Sequence, residues 1–251
     1  MLDSISELVK ELQIAIKDTV SDKKIGIAFS GGVDSSLLAK LCTDLDYNVT
    51  LLTIGFQNSH DILFSKKINE IMKLPHKIFE IEEKPFHDIS SKIKTKINTD
   101  NLSWYENCIA FYYVSNLAQS NHLNTVITAN GIDELFCGYN AYRDVIKEGE
   151  KVVQQFMDSK LENELKMMKA VNKISSEFGI TILQPFLSDR FIKYAKKISL
   201  ENKIKNSEDL IRKHIIRKAA SQIGVPEISA NQRKKALQYG SQIHKALIKS
   251  R

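Results

Sequence analysis

The amino-acid sequence predicts an α/β fold, with an open parallel sheet sandwiched by helices and a helical C-terminal part. Two observations carry this prediction. Four short apolar runs, at 24–29, 48–56, 77–81 and 125–128, alternate with helical patterns, and this alternation is typical of βαβ units and a parallel sheet. From Asn140 to Phe178 the pattern is helical and charged, without strand signals.

Each element has its own sequence signal. Residues 1–18 predict an amphipathic helix, because Leu8, Leu12 and Ile16 fall on one apolar stripe. The runs at 24–29 and 125–128 both lead into glycine turns, as buried strands often do. The helical patterns between the strands cover 33–42, 61–74, a Lys-rich stretch at 86–98 that fits a helix or a loop, and 104–120.

The second half contains an apolar segment at 180–187 and helical patterns at 188–198 and 208–223. We therefore divide the chain into an α/β core over 1–140 and a helical part over 141–251. We expect the helical part to complete the active site of the same functional domain.

Composition places the chain among ordinary globular proteins. Of its 251 residues, 43% are apolar and 26% are charged, which excludes collagen, coiled-coil and disordered classes. No apolar run approaches the roughly 20 residues of a membrane span, and the N-terminus lacks the apolar core of a signal peptide. The three cysteines form no Cys-x-x-Cys pair, so we expect reduced thiols in a cytoplasmic protein.

Positive charge is concentrated at the end of the chain. The formal net charge is +6, and residues 201–251 carry 12 Lys and Arg against 4 Asp and Glu. A basic segment of this kind binds nucleic acid, an acidic surface or polyphosphate, or forms a solvated helix face.

The most informative stretch is Ser30-Gly31-Gly32-Val33-Asp34-Ser35-Ser36, between a predicted strand and a predicted helix. Backbone N–H groups and the helix dipole at such a turn bind phosphate, and glycines let the ligand approach the backbone. An aspartate would repel phosphate unless a cation lay between them, so Asp34 predicts Mg²⁺. The alternative is a glycine turn with Asp and Ser as helix caps.

A second motif, TANGIDELFCGY over 128–139, follows the fourth predicted strand. Loops at the carboxyl ends of the first and fourth strands can face one crevice of a parallel sheet. Asp34 and Asp133 could there share one Mg²⁺ that neutralises a leaving pyrophosphate. The alternative for Asp133 and Glu134 is a helix N-terminus with favourable acidic residues.

The first string resembles the SGGxDSS pyrophosphate loop of the ATP pyrophosphatases, and the second resembles the GxGSDExFGGY signature of asparagine synthetase, in a short archaeal-like form of the synthetase domain. The resemblance implies an adenine nucleotide alpha hydrolase-like fold and cleavage of ATP to AMP and pyrophosphate. It implies Asp34 and Asp133 as metal ligands. It also implies ATP contacts by Phe29, Ser30, Gly31, Gly32, Asp34, Ser35, Ser36, Ile54, Ala129, Asn130 and Gly131.

Two segments near the end of the chain extend the resemblance. Pro185-Phe186-Leu187 resembles the family's PFLD segment, with Ser188 in place of the aspartate. Gln232 to Lys235 resembles a basic R-x-K segment whose lysine is thought to stabilise charge on the acyl-adenylate. Lys234 is the best match to that catalytic lysine and Lys235 the next.

Two departures from the family pattern bear on mechanism. At Asn130 the bacterial family has a glutamate that is thought to act as a base, and asparagine cannot accept a proton. We keep Asn130 as a catalytic candidate and expect another base, water or a different substrate. The family usually carries an N-terminal glutaminase domain, and we expect none here, because the residues before the first motif leave no room for it. We therefore expect ammonia to come from solution or from a separate glutaminase subunit, and a homo-oligomer also stays open.

The function that follows is an AMP-forming amide ligase that activates aspartate with ATP and Mg²⁺ and amidates it with ammonia. One alternative is a tRNA-modifying ATP pyrophosphatase, which the basic end of the chain fits. The absence of a Cys-x-x-Cys pair or an appended RNA-binding module argues against sulfur transfer, and we expect no nucleic-acid partner. The other alternative is a non-catalytic nucleotide-binding subunit that lost its base at Asn130.

Overall fold

The chain is described by a computed structural model over residues 2–233 and 235–249. Five strands and thirteen α-helices lie within these residues. In chain order they are α1 Leu2–Thr19, β1 Lys24–Ala28, α2 Val33–Asp44, β2 Asn48–Phe56, α3 His60–Met72, β3 His76–Ile81, α4 Glu83–Ile97, α5 Leu102–Ser120, β4 Thr125–Ile127, α6 Ile132–Leu135, α7 Tyr142–Val145, α8 Glu150–Ser175, β5 Thr181–Leu183, α9 Asp189–Lys197, α10 His214–Gln222, α11 Glu227–Ala230, α12 Leu237–Gly240 and α13 Ile243–Lys249.

The five strands form one parallel sheet in the order β3-β2-β1-β4-β5. This confirms the predicted parallel α/β fold. The fifth strand comes from the apolar segment that we did not assign as a strand, and the helical part of the chain thus contributes to the sheet. Three residues are too short to show a period of two, so β5 is defined by its pairing with β4.

The strand order reverses between β1 and β4. The chain continues from β1 to β2 on one side, whereas β4 is followed by β5 on the other. At such a switch point the loops after the two central strands separate and leave a crevice at their carboxyl ends. The two sequence motifs follow β1 and β4 directly, so both lie at this crevice.

Helices cover the sheet and carry the second layer of the core. The predicted amphipathic helix α1 buries Leu8, Leu12 and Ile16 completely and packs against α2, α9 and α10. Helix α5 packs against β2, β3 and the long helix α8. The stretch left open as a helix or a loop is helix α4.

The helix that we predicted over 208–223 is wrong in its first part, because α10 begins only at His214. The preceding turn is held by the Asp209 carboxylate, which accepts the backbone N–H groups of Ile211 and Arg212, each at 3.0 Å. Arg212 and Lys213 follow with φ of 49° and 54°, outside the helical region. These side chain–backbone bonds compete with the helix, and residue periodicity does not reveal them.

None of the helices in the described part of the chain is long and apolar enough to cross a membrane.

Candidate active site

The turn after β1 is a tight glycine loop that is clasped from the helical part. Gly31 has φ of 78°, and a Cβ there would lie 3.1 Å from both the Phe64 ring and the Cα of Ser65. Glycine is thus favoured by both backbone and space. The Gly31 carbonyl accepts hydrogen bonds from Ser36 Oγ at 3.2 Å and from Ser229 Oγ at 2.7 Å. Ser229 belongs to α11, so distant segments fix the loop together.

The first turn of α2 presents backbone donors to a cavity. No side chain of the described residues caps this helix, and the N–H groups of its first three residues have no intrahelical acceptor. These residues, Val33, Asp34 and Ser35, all line the cavity. Uncapped N–H groups and the helix dipole together form an anion site, as the sequence predicts.

The two predicted metal ligands converge on a common point. Lys213 Nζ lies 2.6 Å from Asp34 Oδ2 and 2.9 Å from Asp133 Oδ1, and the lysine side chain is 1% exposed. The other Asp34 oxygen, Oδ1, is buried without a hydrogen-bond partner among the described residues. Two carboxylates that share a cation, one with an oxygen left over, form a donor set that fits Mg²⁺.

Lys213 is held in place by two arginines. Arg212 donates from Nη2 to the Gly138 carbonyl at 3.1 Å, next to the second motif. Arg217 donates from Nε to the Arg212 carbonyl at 2.8 Å and from Nη1 to the Gln232 carbonyl at 2.9 Å. The turn that carries Lys213 is thereby tied to the second motif and to the start of the basic segment. No motif in the sequence singles out Lys213, and the local excess of positive charge is the only signal for it.

The loop after β4 is organised around Asn130. The Thr128 hydroxyl donates to Asn130 Oδ1, and Asn130 Nδ2 donates to Glu164 Oε1 at 2.5 Å. Gly131 has φ of 104°, and a Cβ there would lie 2.6 Å from the Phe186 carbonyl oxygen. The segment that resembles PFLD therefore lies directly against this loop.

Glu134 and Tyr139 brace the same loop. The Tyr139 hydroxyl donates to Glu134, and Glu134 Oε2 accepts the Gly131 N–H at 3.0 Å. Burial, and then the charges of Glu134, Asp133 and Glu164, raise the pKa of Tyr139 well above its usual value. The phenol thus stays protonated and acts as a donor at neutral pH.

One cavity of ≈ 470 Å³ gathers most of the predicted site residues. Three predicted residues support the loops without being part of the cavity lining: Gly31, Ser36 and Gly131. Lys234 lies outside the described residues. The predicted residues that line the cavity are Phe29, Ser30, Gly32, Asp34, Ser35, Ile54, Ala129, Asn130, Asp133 and Lys235. Their roles remain predictions.

Helices α5 and α8 add polar side chains to the cavity that sequence analysis did not identify. We refer to Asn107, Lys160, Asn163 and Glu164 as the polar helix group. Glu164 is 5% exposed and belongs to the buried stripe of α8, next to Leu161. A charged side chain within a buried apolar stripe was the signal that could have revealed it, since an acidic residue is rarely buried without a partner.

Comparison with known proteins identifies the family. A sequence model described as asparagine synthase matches residues 7–169 and 148–250. The chain belongs to the asparagine synthase family. Membership confirms the resemblance drawn from the two motifs.

Individual members of the asparagine synthase family match most of this chain. "Putative asparagine synthetase (glutamine-hydrolyzing) 1" of Methanocaldococcus jannaschii is 28% identical over 282 residues, covering 98% of this chain and 52% of its own length. The root asparagine synthetase (glutamine-hydrolyzing) of Pisum sativum is 26% identical over 215 residues, covering 81% and 37%. The chain thus spans about half or less of these relatives.

Among solved structures, NMN synthetase of Francisella tularensis aligns with a TM-score of 0.48 and 16% identity. The alignment covers 94% of this chain and 76% of the other.

Proposed function

We propose that this member of the asparagine synthase family activates a carboxylate with ATP, releases pyrophosphate, and converts the acyl-adenylate to an amide with ammonia. One observation carries the proposal: the glycine loop, the Asp34–Asp133 pair and Lys235 all line a single cavity. An anion site, a cation site and a further positive charge are what cleavage of ATP between the α and β phosphates requires.

The residues of the chain have distinct tasks in the first step. The N–H groups at the start of α2 and the Ser30 and Ser35 hydroxyls bind the pyrophosphate part of ATP, while Phe29 and Ile54 hold the adenine. Asp34 and Asp133 would hold Mg²⁺, which neutralises charge on the departing pyrophosphate. The substrate carboxylate then attacks the α-phosphorus. AMP thereby becomes the leaving group on the acyl carbon, in place of the oxide that a free carboxylate would have to expel.

The second step forms the amide. Ammonia attacks the acyl carbon and AMP leaves. Lys235, and Lys234 as the better match to the family lysine, would stabilise the negative charge that develops on the phosphoryl group and the tetrahedral intermediate.

We propose aspartate as the carboxylate substrate, activated on its side chain. The polar helix group supports this choice, because Lys160 and Asn107 both line the cavity. An ammonium and an amide can bind the α-carboxylate and the α-amino group of a free amino acid. We also propose a cytoplasmic location, which the three buried free cysteines support, and ammonia delivered from solution or by a glutaminase.

The test is release of AMP from ATP and Mg²⁺ with aspartate and ammonium as the acceptor pair. We expect AMP and asparagine in equal amounts from the wild type, and a loss of at least about 100-fold in Asp34→Ala. Asp44→Ala is the matched control, because Asp44 ends the same helix and its ion pair among the described residues is with half-buried Lys40. It should retain activity within about two-fold.

Intact ATP, or ADP as the only product, would overturn the proposal. AMP release that requires tRNA instead of aspartate would favour the tRNA-modifying alternative. Binding of ATP without AMP from any carboxylate would favour the non-catalytic subunit.

A further inference from the structure

We propose that Glu164 is the general base of the amidation step and that Asn130 positions it. The inference deepens the proposed function and rests on it. Asn130 stands where the family pattern has a glutamate. The carboxylate of Glu164, on helix α8, accepts a hydrogen bond from the Asn130 side chain.

Asn130 is built into the site as a donor toward Glu164. Its Oδ1 accepts the Thr128 hydroxyl, which leaves Nδ2 to face the carboxylate at 2.5 Å. An amide cannot take up a proton at neutral pH. It can fix one oxygen of a carboxylate by a charge-assisted hydrogen bond, so that the carboxylate keeps one orientation.

Glu164 sits on a rigid element. It is 5% exposed and lies on α8, a long helix that packs against α5. The neighbouring residue Asn163 accepts the Trp104 Nε1–H at 2.9 Å, which ties this turn of α8 to α5. A base that is held in place by packing and by the hydrogen bonds of its neighbours keeps the geometry that proton transfer needs.

The other carboxylates that line the cavity already have tasks. Asp34 and Asp133 share the Lys213 ammonium. Glu134 accepts the Gly131 N–H and the Tyr139 hydroxyl, which hold the turn of the loop.

The remaining carboxylate of the cavity lining among the described residues is Asp61, which is held by residues next to it. Asp61 lies against Gly240, where a Cβ would meet Asp61 Oδ1 at 2.0 Å, and the adjacent His60 pairs with Asp61 at 3.1 Å. Among the described residues of the cavity, Glu164 is thus the carboxylate that stands with the polar helix group, where aspartate is proposed to bind.

The ammonia nitrogen forms a bond to the acyl carbon of the aspartyl-adenylate. As this bond forms, one N–H proton passes to a Glu164 carboxylate oxygen. The bond from the acyl carbon to the AMP oxygen then breaks, and AMP leaves with the electron pair. Glu164 afterwards returns its proton to solvent. No proton acceptor is needed for the earlier attack of aspartate on ATP, because a carboxylate has no proton to lose.

Because only the amidation step requires a proton acceptor, the experiment measures adenylation and amidation separately. Pyrophosphate formed in a single turnover without ammonia reports adenylation, and asparagine formed after ammonia is added reports amidation. In Glu164→Gln we expect the pyrophosphate burst to stay within about three-fold of wild type and amidation to fall by about 100-fold or more, the usual range of general base catalysis. Glu162→Gln is the control, since Glu162 lies on the same helix, 70% exposed and paired with Lys166.

A second variant exchanges the amide and the carboxylate that share the hydrogen bond between Asn130 and Glu164. The double variant Asn130→Glu with Glu164→Gln restores a carboxylate on the loop and an amide on α8. We expect it to recover amidation at least about ten-fold over Glu164→Gln. Equal loss of pyrophosphate burst and amidation in Glu164→Gln, or amidation within about two-fold of wild type, would overturn the inference. A wild-type chain that forms no pyrophosphate with aspartate would overturn the proposed function itself, which is a separate readout.

Discussion

Lys213 Nζ lies 2.6 Å from Asp34 Oδ2, although 179 positions separate the two residues in the sequence. The same ammonium lies 2.9 Å from Asp133 Oδ1. One nearly buried cation thus balances the two carboxylates that we propose as magnesium ligands. Because two cations a few ångström apart repel strongly at low dielectric, the ammonium has to leave this position when a metal ion enters.

This relationship predicts how Lys213→Met will respond to magnesium. Without the ammonium the two carboxylates repel each other, and we expect a loss of about 3 kcal/mol in the free energy of unfolding. Magnesium without nucleotide should then restore part of that loss and raise Tm by at least about 3 °C, because the ion no longer competes with an internal cation. Thermal unfolding with and without Mg²⁺ measures both effects.

Lys205→Met is the control for that experiment, since Lys205 is exposed and precedes the same turn. We expect its Tm to respond to Mg²⁺ as the wild type does. A wild-type Tm that rises with Mg²⁺ as much as the Tm of Lys213→Met would show that the ammonium and the metal do not compete.

A second prediction concerns the clasp on the glycine loop. Ser229 Oγ donates to the Gly31 carbonyl at 2.7 Å and lies 2.9 Å from Ser36 Oγ, and all of these groups are buried. Ser229→Ala leaves the Gly31 carbonyl with Ser36 as its remaining side-chain donor among the described residues, at a cost of about 1 kcal/mol. If the loop binds ATP, the KM for ATP should rise by about five-fold while the KM for the carboxylate changes little.

Ser221→Ala tests whether this effect is specific. Ser221 is exposed on α10, and its removal should leave both KM values within about two-fold of wild type. An unchanged KM for ATP in Ser229→Ala would mean that the clasp does not order the nucleotide loop.

Residues whose chemistry is local in the sequence could be predicted. The string around Asp34 predicts a phosphate loop because strand, glycines and helix start are contiguous, and the same holds for Asp133 after β4. Their meeting at one crevice follows from the topology of a parallel sheet, and the structure confirms it with a shared contact at Lys213.

Residues whose role depends on tertiary placement were not identified. Lys213 looks like one basic residue among many, and a helix prediction over 208–223 hides the turn that aims it. Glu164 belongs to a helix whose pattern gives only an amphipathic face. Its importance arises from the packing of α8 beside Asn130, and single-sequence periodicity carries no information on which helices pack together.

A comparison of Gly131 with Gly149 separates the stability cost of a steric clash from the cost of backbone strain. Both Gly131 and Gly149 have positive φ, of 104° and 100°. An added Cβ would meet the Phe186 carbonyl oxygen at 2.6 Å at Gly131 and nothing within 4 Å at Gly149. Gly149→Ala should cost about 1 kcal/mol of stability from strain alone, and Gly131→Ala about 2 kcal/mol more, which urea unfolding can measure. Equal losses would mean that the loop after β4 shifts freely away from Phe186.

The last prediction concerns His76, which lies behind the proposed adenine pocket. Its Nε2 is 2.8 Å from Thr53 Oγ1, whose hydroxyl donates to the Phe29 carbonyl at 2.6 Å. Nε2 is therefore the donor, and the imidazole ring lies perpendicular to the Phe29 ring with the ring centroids 5.8 Å apart. Burial, and then the charge of Lys66, lower the pKa of His76 to about 4.

The sign of the pH effect follows from this lowered pKa. Between about pH 6.5 and 4 the unfolded chain holds a proton on His76 that the folded chain does not. Stability from this group is present above pH 6.5 and is lost as the pH falls toward 4, with a slope of up to about 1.4 kcal/mol per pH unit. In His76→Gln, which keeps a donor toward Thr53 but cannot titrate, urea unfolding at pH 7, 5.5 and 4.5 should show a shallower fall. In His87→Gln, which alters an exposed histidine, the fall should match wild type. Equal slopes in wild type and His76→Gln would mean that the ring is protonated within the folded protein, and that the contact behind Phe29 does not depend on its neutral form.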